Sequence, residues 1–314
     1  MARYVLTVSA PAIDVLVPSK KHYLIKLNKR TFLMKTSMTK VSAALALMVV
    51  SSTAMAAISN TRHNLGAMNV AGNGVNAGGT TEICVFCHTP HGGDQTAIVP
   101  LWNRITTTAT FQTYASLGTG TLDGTETSVG SVSIACLSCH DGTQAMDVVL
   151  NAPGFGGKTT NSTINNGALW ADGPQMDGTN SNGANLAAEL VYLSTDLRND
   201  HPISIQYGGG NLTTAATTGA TKDPDFVNST NPGINGVVMA TATWNGNTVW
   251  FLDVNADGTK QKTDLPLYTR TLGGNDQPFV ECGSCHDPHV ENNTFLRFTT
   301  GNAGSQVCLS CHTK

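Results

Sequence analysis

The stretch ICVFCHTPH, Ile83–His91, holds two cysteines separated by two residues, a histidine directly after the second, and another histidine three positions on. The same Cys-x-x-Cys-His pattern returns at Cys136/Cys139-His140, Cys282/Cys285-His286 and Cys308/Cys311-His312. With Cys84/Cys87-His88 these four motifs use all eight cysteines. Eight cysteines could in principle pair in about 105 ways. One spacing repeated four times, each time followed by histidine, is not the spacing of a disulfide framework.

Cys-x-x-Cys-His is the pattern of c-type haem attachment. Two thioethers must reach two vinyl groups on one edge of a porphyrin, so the sulfurs need a short, fixed separation. The adjacent histidine then turns its imidazole onto the iron. A zinc reading would need two four-cysteine sites and would leave His88, His140, His286 and His312 idle. The sequence therefore calls for four c-type haems. Cys84, Cys87, Cys136, Cys139, Cys282, Cys285, Cys308 and Cys311 attach them, and the four motif histidines are the proximal iron ligands.

The chain has nine histidines. Four lie in the motifs and His22 lies far upstream, which leaves His63, His91, His201 and His289. Four irons with one open face each thus meet four spare imidazoles, a match expected of bis-histidine, six-coordinate, low-spin centres. Methionine ligation through Met68, Met146, Met176 or Met239 would raise a potential but would leave a histidine unused. In His88-Thr-Pro-His91 and His286-Asp-Pro-His289 the second histidine cannot get round to the far side of its own haem, because proline stiffens the three-residue path. His91 and His289 must each reach the iron of a different haem or no iron at all; the first option, which staples one haem to another, is the reading adopted.

Residues 34–56, MKTSMTKVSAALALMVVSSTAMA, have a basic start, a short apolar run and small residues at Ala54-Met55-Ala56. That is the pattern of a secretory signal peptide, too short in its apolar part to span a bilayer. Residues 1–33 read as an upstream extension, and 57–314 as a single tetrahaem unit. Residues 57–314 retain 10 of the 18 Lys+Arg and 20 of the 21 Asp+Glu, a formal charge of −10. Such acidity argues against nucleic acid as a partner.

The motif histidines are spaced by 52, 146 and 26 residues (88 to 140, 140 to 286, 286 to 312). The long middle stretch is rich in Gly, Asn and Thr, with little periodicity. A short helix is expected over Asn185–Leu197, and a β-hairpin with arms Asn247–Leu252 and Leu265–Tyr268. So few apolar repeats leave little for a side-chain core. The expected fold class is a coil-rich multihaem cytochrome c with few short helices and a β-hairpin, its haem stack serving as core. Between the hairpin arms, Asp253-x-Asn255-x-Asp257-Gly258 with Asp264 at the twelfth position resembles a Ca2+ loop. The usual terminal Glu and flanking helices are missing, and a polar turn accounts for the same residues.

The segments TRHNLG, CVFCHTPH, CLSCHDG, NDHPISIQY, CGSCHDPH and the closing CLSCH resemble those of extracellular multihaem cytochromes that polymerise into conductive filaments, above all the tetrahaem OmcE-like kind. They are spread over nearly the whole of 57–314, apart from the middle loops. The resemblance implies a haem stack running unbroken along a homopolymer. It also implies that His63, near the start of the unit, ligates a haem of the neighbouring subunit; ligation within its own chain is the alternative. It implies electron transfer rather than enzyme catalysis. Redox proteins would donate, and acceptors outside the cell would receive. The protein would be secreted through the periplasm to the cell surface or beyond. A monomeric periplasmic or outer-surface shuttle is the competing reading. A multihaem reductase would need an iron open to substrate, which the histidine count does not leave.

Overall fold

Two glycine-bearing turns organise the centre of the fold. Asn245-Gly246 and Gly273-Gly274 all have positive φ (48°, 79°, 60° and 80°). Two-residue turns of that kind match the right-handed twist of the strands they join. The first folds β4 (Val238–Trp244) onto β5 (Asn247–Asp253), with Trp244 opposite Asn247. The second folds β6 (Leu265–Leu272) onto β7 (Asn275–Val280), with Leu272 opposite Asn275. The expected hairpin is present between them: β5 pairs antiparallel with β6 through Trp250–Leu267, Phe251–Pro266 and Leu252–Leu265. A short β3 (Ile205–Gln206) adds to β7, so the sheet order is β3-β7-β6-β5-β4. Ahead of these, β1 (Val148–Val149) and β2 (Ser162–Thr163) form a separate antiparallel pair.

This computed structural model describes residues 57–66, 80–144, 146, 148–151, 162–163, 191–292, 294–298 and 302–314. The upstream extension 1–33, the signal peptide 34–56, Met68, Met176 and positions 185–190 of the expected helix lie outside them. The described remainder of that helix, Val191 to Leu197, is not helical. There the Leu197 N–H donates to the Gln112 carbonyl and the Gln112 N–H donates to Thr195, so pairing with a distant segment has replaced local helix bonds.

A side-chain core does form, more than the aperiodic sequence led one to expect. Trp250, Leu252, Leu265, Tyr207 and Val227 are fully buried in one cluster with Leu212, Met239 and Leu267. Each such side chain contributes roughly 1.5–3 kcal/mol on burial. The Tyr207 hydroxyl donates to the Val227 carbonyl at 2.7 Å, which satisfies the polar end of a buried ring. The helices are short: α1 (Ser133–His140), α2 (Cys282–Cys285) and α3 (Gln306–Leu309). Each carries cysteines of a motif, and a 3-10 turn, Cys84–Phe86, carries the first. The sheet delivers two candidate ligands. Strand β7 runs straight into α2 and His286, and β3 follows His201 by four residues.

Candidate functional site

Each Cys-x-x-Cys-His motif closes one tight turn, and the backbone explains why. The histidine N–H donates to the carbonyl of the first cysteine, His88 to Cys84 at 2.8 Å, His286 to Cys282 at 3.0 Å and His312 to Cys308 at 2.9 Å. In the second motif the same turn lies within α1. One turn brings both sulfurs and the imidazole into the neighbourhood of a single group.

The proximal rings are fixed from behind. Nδ1 of His88 meets the Pro100 carbonyl at 2.8 Å, that of His140 meets Val191 at 2.7 Å, and that of His286 meets Thr294 at 2.9 Å. A carbonyl only accepts, so Nδ1 must carry the proton and Nε2 is left as the lone-pair donor. This is the arrangement that orients an imidazole for a metal. Burial, the largest cause in each case, lowers the pKa of His140, His286 and His312 and so favours the neutral, ligating form.

The spare histidines fall into place unequally. His63 faces His140, with ring centroids 6.3 Å apart and planes at 79°. His289 faces His88, also at 6.3 Å, with planes at 16°. Two imidazoles on opposite sides of one metal, with bonds of about 2 Å and ring centres about 1.1 Å behind the nitrogens, stand about 6.2 Å apart. Both pairs have centroid separations close to that value. His201 lies within electrostatic reach of His312, and its Nδ1 contacts the Pro202 carbonyl at 2.9 Å. His91 is exposed, and its ring has no partner among the described residues.

His63 sits on the loop after the third motif. It stacks on Phe295 at 4.1 Å, and Asn60 near it donates to Glu291 at 3.2 Å. Its pKa is lowered to about 4, first by burial and then by His140. Its Nδ1 is buried without a well-formed hydrogen bond among the described residues, although the Pro288 carbonyl is close. Trp102 stands edge-on to His88 at 6.3 Å, and its buried Nε1 likewise lacks an acceptor among the described residues.

Neighbouring motifs lie within electrostatic reach of one another in chain order. Cys87 is electrostatically coupled to Cys139, the thiols of Cys136 and Cys282 hydrogen-bond, and Cys285 is coupled to Cys308 and Cys311. Burial pushes Cys87 up to about 12 and Cys285 up to about 11, so these sulfurs stand as neutral thiols in apolar surroundings. The residues present fit covalently attached c-type haem. They do not gather in fours: among the described residues no three His, Cys, Asp or Glu converge as a metal cage.

The sequence reading missed the polar residues that hold these turns. Arg104 is fully buried and donates to the Ser138 hydroxyl at 3.2 Å, the Ser138 carbonyl at 3.0 Å and the Met146 carbonyl at 2.6 Å. It thus pins α1 beside the second motif. Glu281 caps α2 and is bonded by Ser133 and Ser204. The only sequence signal was an acid at the start of a Cys-x-x-Cys turn with Ser284 three positions on. Met146 and Met239 are buried in apolar packing. In the calcium-like loop, Asp253 accepts from the Asn255 and Gly258 amides, and Asp264 accepts from Val254 and Gln261. These bonds stitch a polar turn.

The family described as "Doubled CXXCH motif" matches residues 277–314, the third and fourth motifs with the end of β7. The match points to a multihaem c-type cytochrome, a haem-binding protein of electron transfer. No curated protein matches the chain. Among the described residues no helix is long and apolar enough to cross a membrane.

Proposed function

We propose that the chain carries electrons through four bis-histidine haems and does so as an extracellular head-to-tail homopolymer. The observation that carries this reading is the pair of facing imidazoles at 6.3 Å, His63 with His140 and His289 with His88. When bound, each haem supplies a one-electron ferric–ferrous couple. The motif histidines and their facing partners would hold the iron between them, so that no ligand need leave as charge moves and reorganisation would stay small. Histidine pairs favour low potentials. The succession of neighbouring motifs, with Cys87 within electrostatic reach of Cys139, Cys136 bonded to Cys282 and Cys285 within reach of Cys308, supports one continuous path.

The polymer follows from which ligands are left over. Each half of the chain has the same parts in the same order. The first has His63, a motif with a trailing Pro-His, and a plain motif; the second has His201, a motif with a trailing Pro-His, and a plain motif. In each half the leading histidine goes with the plain motif, His63 with His140 and His201 with His312. The trailing histidine of the second half, His289, goes back to the first motif of the half before it. By the same rule His91 goes back to the equivalent motif of the preceding half, and that is His286 of another subunit. We therefore assign the crossing ligand to His91 and keep His63 within its own chain. The loop after His91 also carries Ile98 and Leu101, which are 64% and 51% exposed, as an apolar shoulder for the neighbour.

Mass analysis of secreted protein tests the haem count: four adducts are expected, and fewer would defeat the reading. Carbon monoxide binding by the reduced native protein would reveal an open iron and favour a reductase instead.

A further inference from the structure

Glu281 is the most deeply buried acid beside the motifs, with 1% of its surface exposed. Four segments meet on it. Its Oε2 accepts from Ser133 at 2.5 Å and Ser204 at 3.0 Å, and its Oε1 faces Arg270 Nη1 at 3.3 Å. Its backbone N–H donates to Ser284 Oγ at 3.1 Å. Ser133 opens α1, the helix of the second motif, and Ser133 Oγ also accepts from the Cys282 N–H at 3.0 Å, the first residue of the third motif. Ser204 follows His201 by three residues. One carboxyl thus sits where the second and third attachment sites touch, at the bonded sulfurs of Cys136 and Cys282.

We propose that Glu281 is a redox-linked proton site for the haems at the second and third motifs. The proposal rests on the haem assignment above. A buried carboxyl responds strongly to nearby charge because little water screens it. When an electron arrives from a reduced haem or a soluble reductant, the neighbourhood loses one positive charge. Glu281 then takes one proton from water, and it returns that proton when the electron leaves for the acceptor. Electron and proton thus enter and leave together, with no bond broken elsewhere. Burial already raises the affinity of Glu281 for its proton, against the opposing pull of Ser133, Arg270 and Ser204. The charged and titratable groups that face it are Arg270 and Tyr268 from β6, Cys282 on its own helix and Cys136 on α1. The two sulfurs cease to titrate once they are thioethers. Arg270 links Glu281 to the surface: its side chain is 17% exposed and donates to the Ser128 carbonyl at 2.8 Å.

The sign follows. Reduction tightens the proton further, so the potentials of two haems fall as pH rises through a window above the ordinary carboxylate range. One proton serves both haems, so their two slopes together cannot exceed about 59 mV per pH unit, the value for one proton per one-electron couple. The test is spectroelectrochemistry across pH on the holoprotein and on Glu281→Gln, with haem adducts counted by mass in both. The expected result is four adducts in each, a slope in two haems of the native protein, and loss of that slope in the variant. Redox-difference infrared spectra should lose one carboxylic band with it. Potentials flat with pH in the native protein, or a slope unchanged in Glu281→Gln, would overturn the proposal. Should Glu281→Gln fail to fold, Arg270→Gln serves: it should move the window to higher pH, and an unmoved window overturns the proposal equally. Fewer than four adducts in the native protein would instead defeat the haem assignment itself.

Discussion

Replacing His63 and His91 separately by alanine distinguishes an internal ligand from a bridging one. His63 is buried, stacks on Phe295 at 4.1 Å and faces His140 at 6.3 Å. Its loss should leave the iron at His140 without a sixth ligand, one centre in four, and convert about a quarter of the low-spin signal to high spin. The lost ring stacking should add a destabilisation of about 0.5–1.5 kcal/mol. For a domain of this size that lowers the melting temperature by roughly 2–4 °C per kcal/mol. Polymer should survive, because both rings belong to one chain. His91 is exposed and makes no ring contact among the described residues, so its removal should leave the melting temperature of the isolated subunit nearly unchanged. It should abolish polymer and expose the iron at His286. Electron microscopy of secreted material and electron paramagnetic resonance read both effects. Polymer lost in His63→Ala but retained in His91→Ala would refute the half-chain reasoning.

Three further outcomes follow from the packing. A Cβ at Gly283, inside the third Cys-x-x-Cys turn, would overlap the Tyr268 hydroxyl and lie 3.0 Å from its Cζ and 3.1 Å from Val132 Cγ2. Gly283→Ala should therefore lower haem occupancy at that motif alone, as peptide mass mapping would show. Arg104→Met strips buried donors from the Ser138 and Met146 carbonyls and should cost about 1–3 kcal/mol for each, read in a thermal melt; a total loss under about 1 kcal/mol would contradict the bonding described. Residues 57–314 have a formal charge of −10, so neighbouring subunits repel through solvent. Raising the salt should screen that repulsion and lengthen polymers, whereas an assembly held by surface ion pairs would come apart. Light scattering against ionic strength separates the two.

The chemistry was more legible in the sequence than the scaffold. Covalent attachment demands fixed residue types at fixed spacing, so Cys84, Cys87 and His88 are readable with no knowledge of the fold. The strands β5 and β6 were visible as apolar, β-branched and aromatic runs. Their neighbours β4 and β7 were not: VMATATW is half small residues, and NDQPFV opens with polar ones. The decisive signals there were Asn245-Gly246 and Gly273-Gly274, which the alternation of apolar residues does not register. The described part of the expected helix, Val191 to Leu197, is not helical because the Gln112 segment competes for its backbone groups, a contact across 85 positions that no local pattern encodes. Glu281 and Arg104 were invisible for a different reason. Charged residues default to the surface, and only tertiary packing reveals those that do not.

The pairing of ligands has a consequence for assembly. A two-fold contact is self-complementary and ends at a dimer. Under the assignment proposed above, the bridging donor His91 and the centre it completes, His286, are different residues on different halves of the chain, so their contact is head-to-tail. Such contacts leave one donor and one vacancy at every stage of growth, and they close only if the rotation per subunit divides a full turn. The second half meets the first within a chain through His289, and under this assignment the first half meets the second between chains through His91. The two junctions are then chemically alike, a trailing Pro-His reaching back to an earlier motif. A path made of repeated equivalent steps has no step that must be slower because it crosses a subunit boundary. That is the property an extended conductor needs and a monomeric carrier does not.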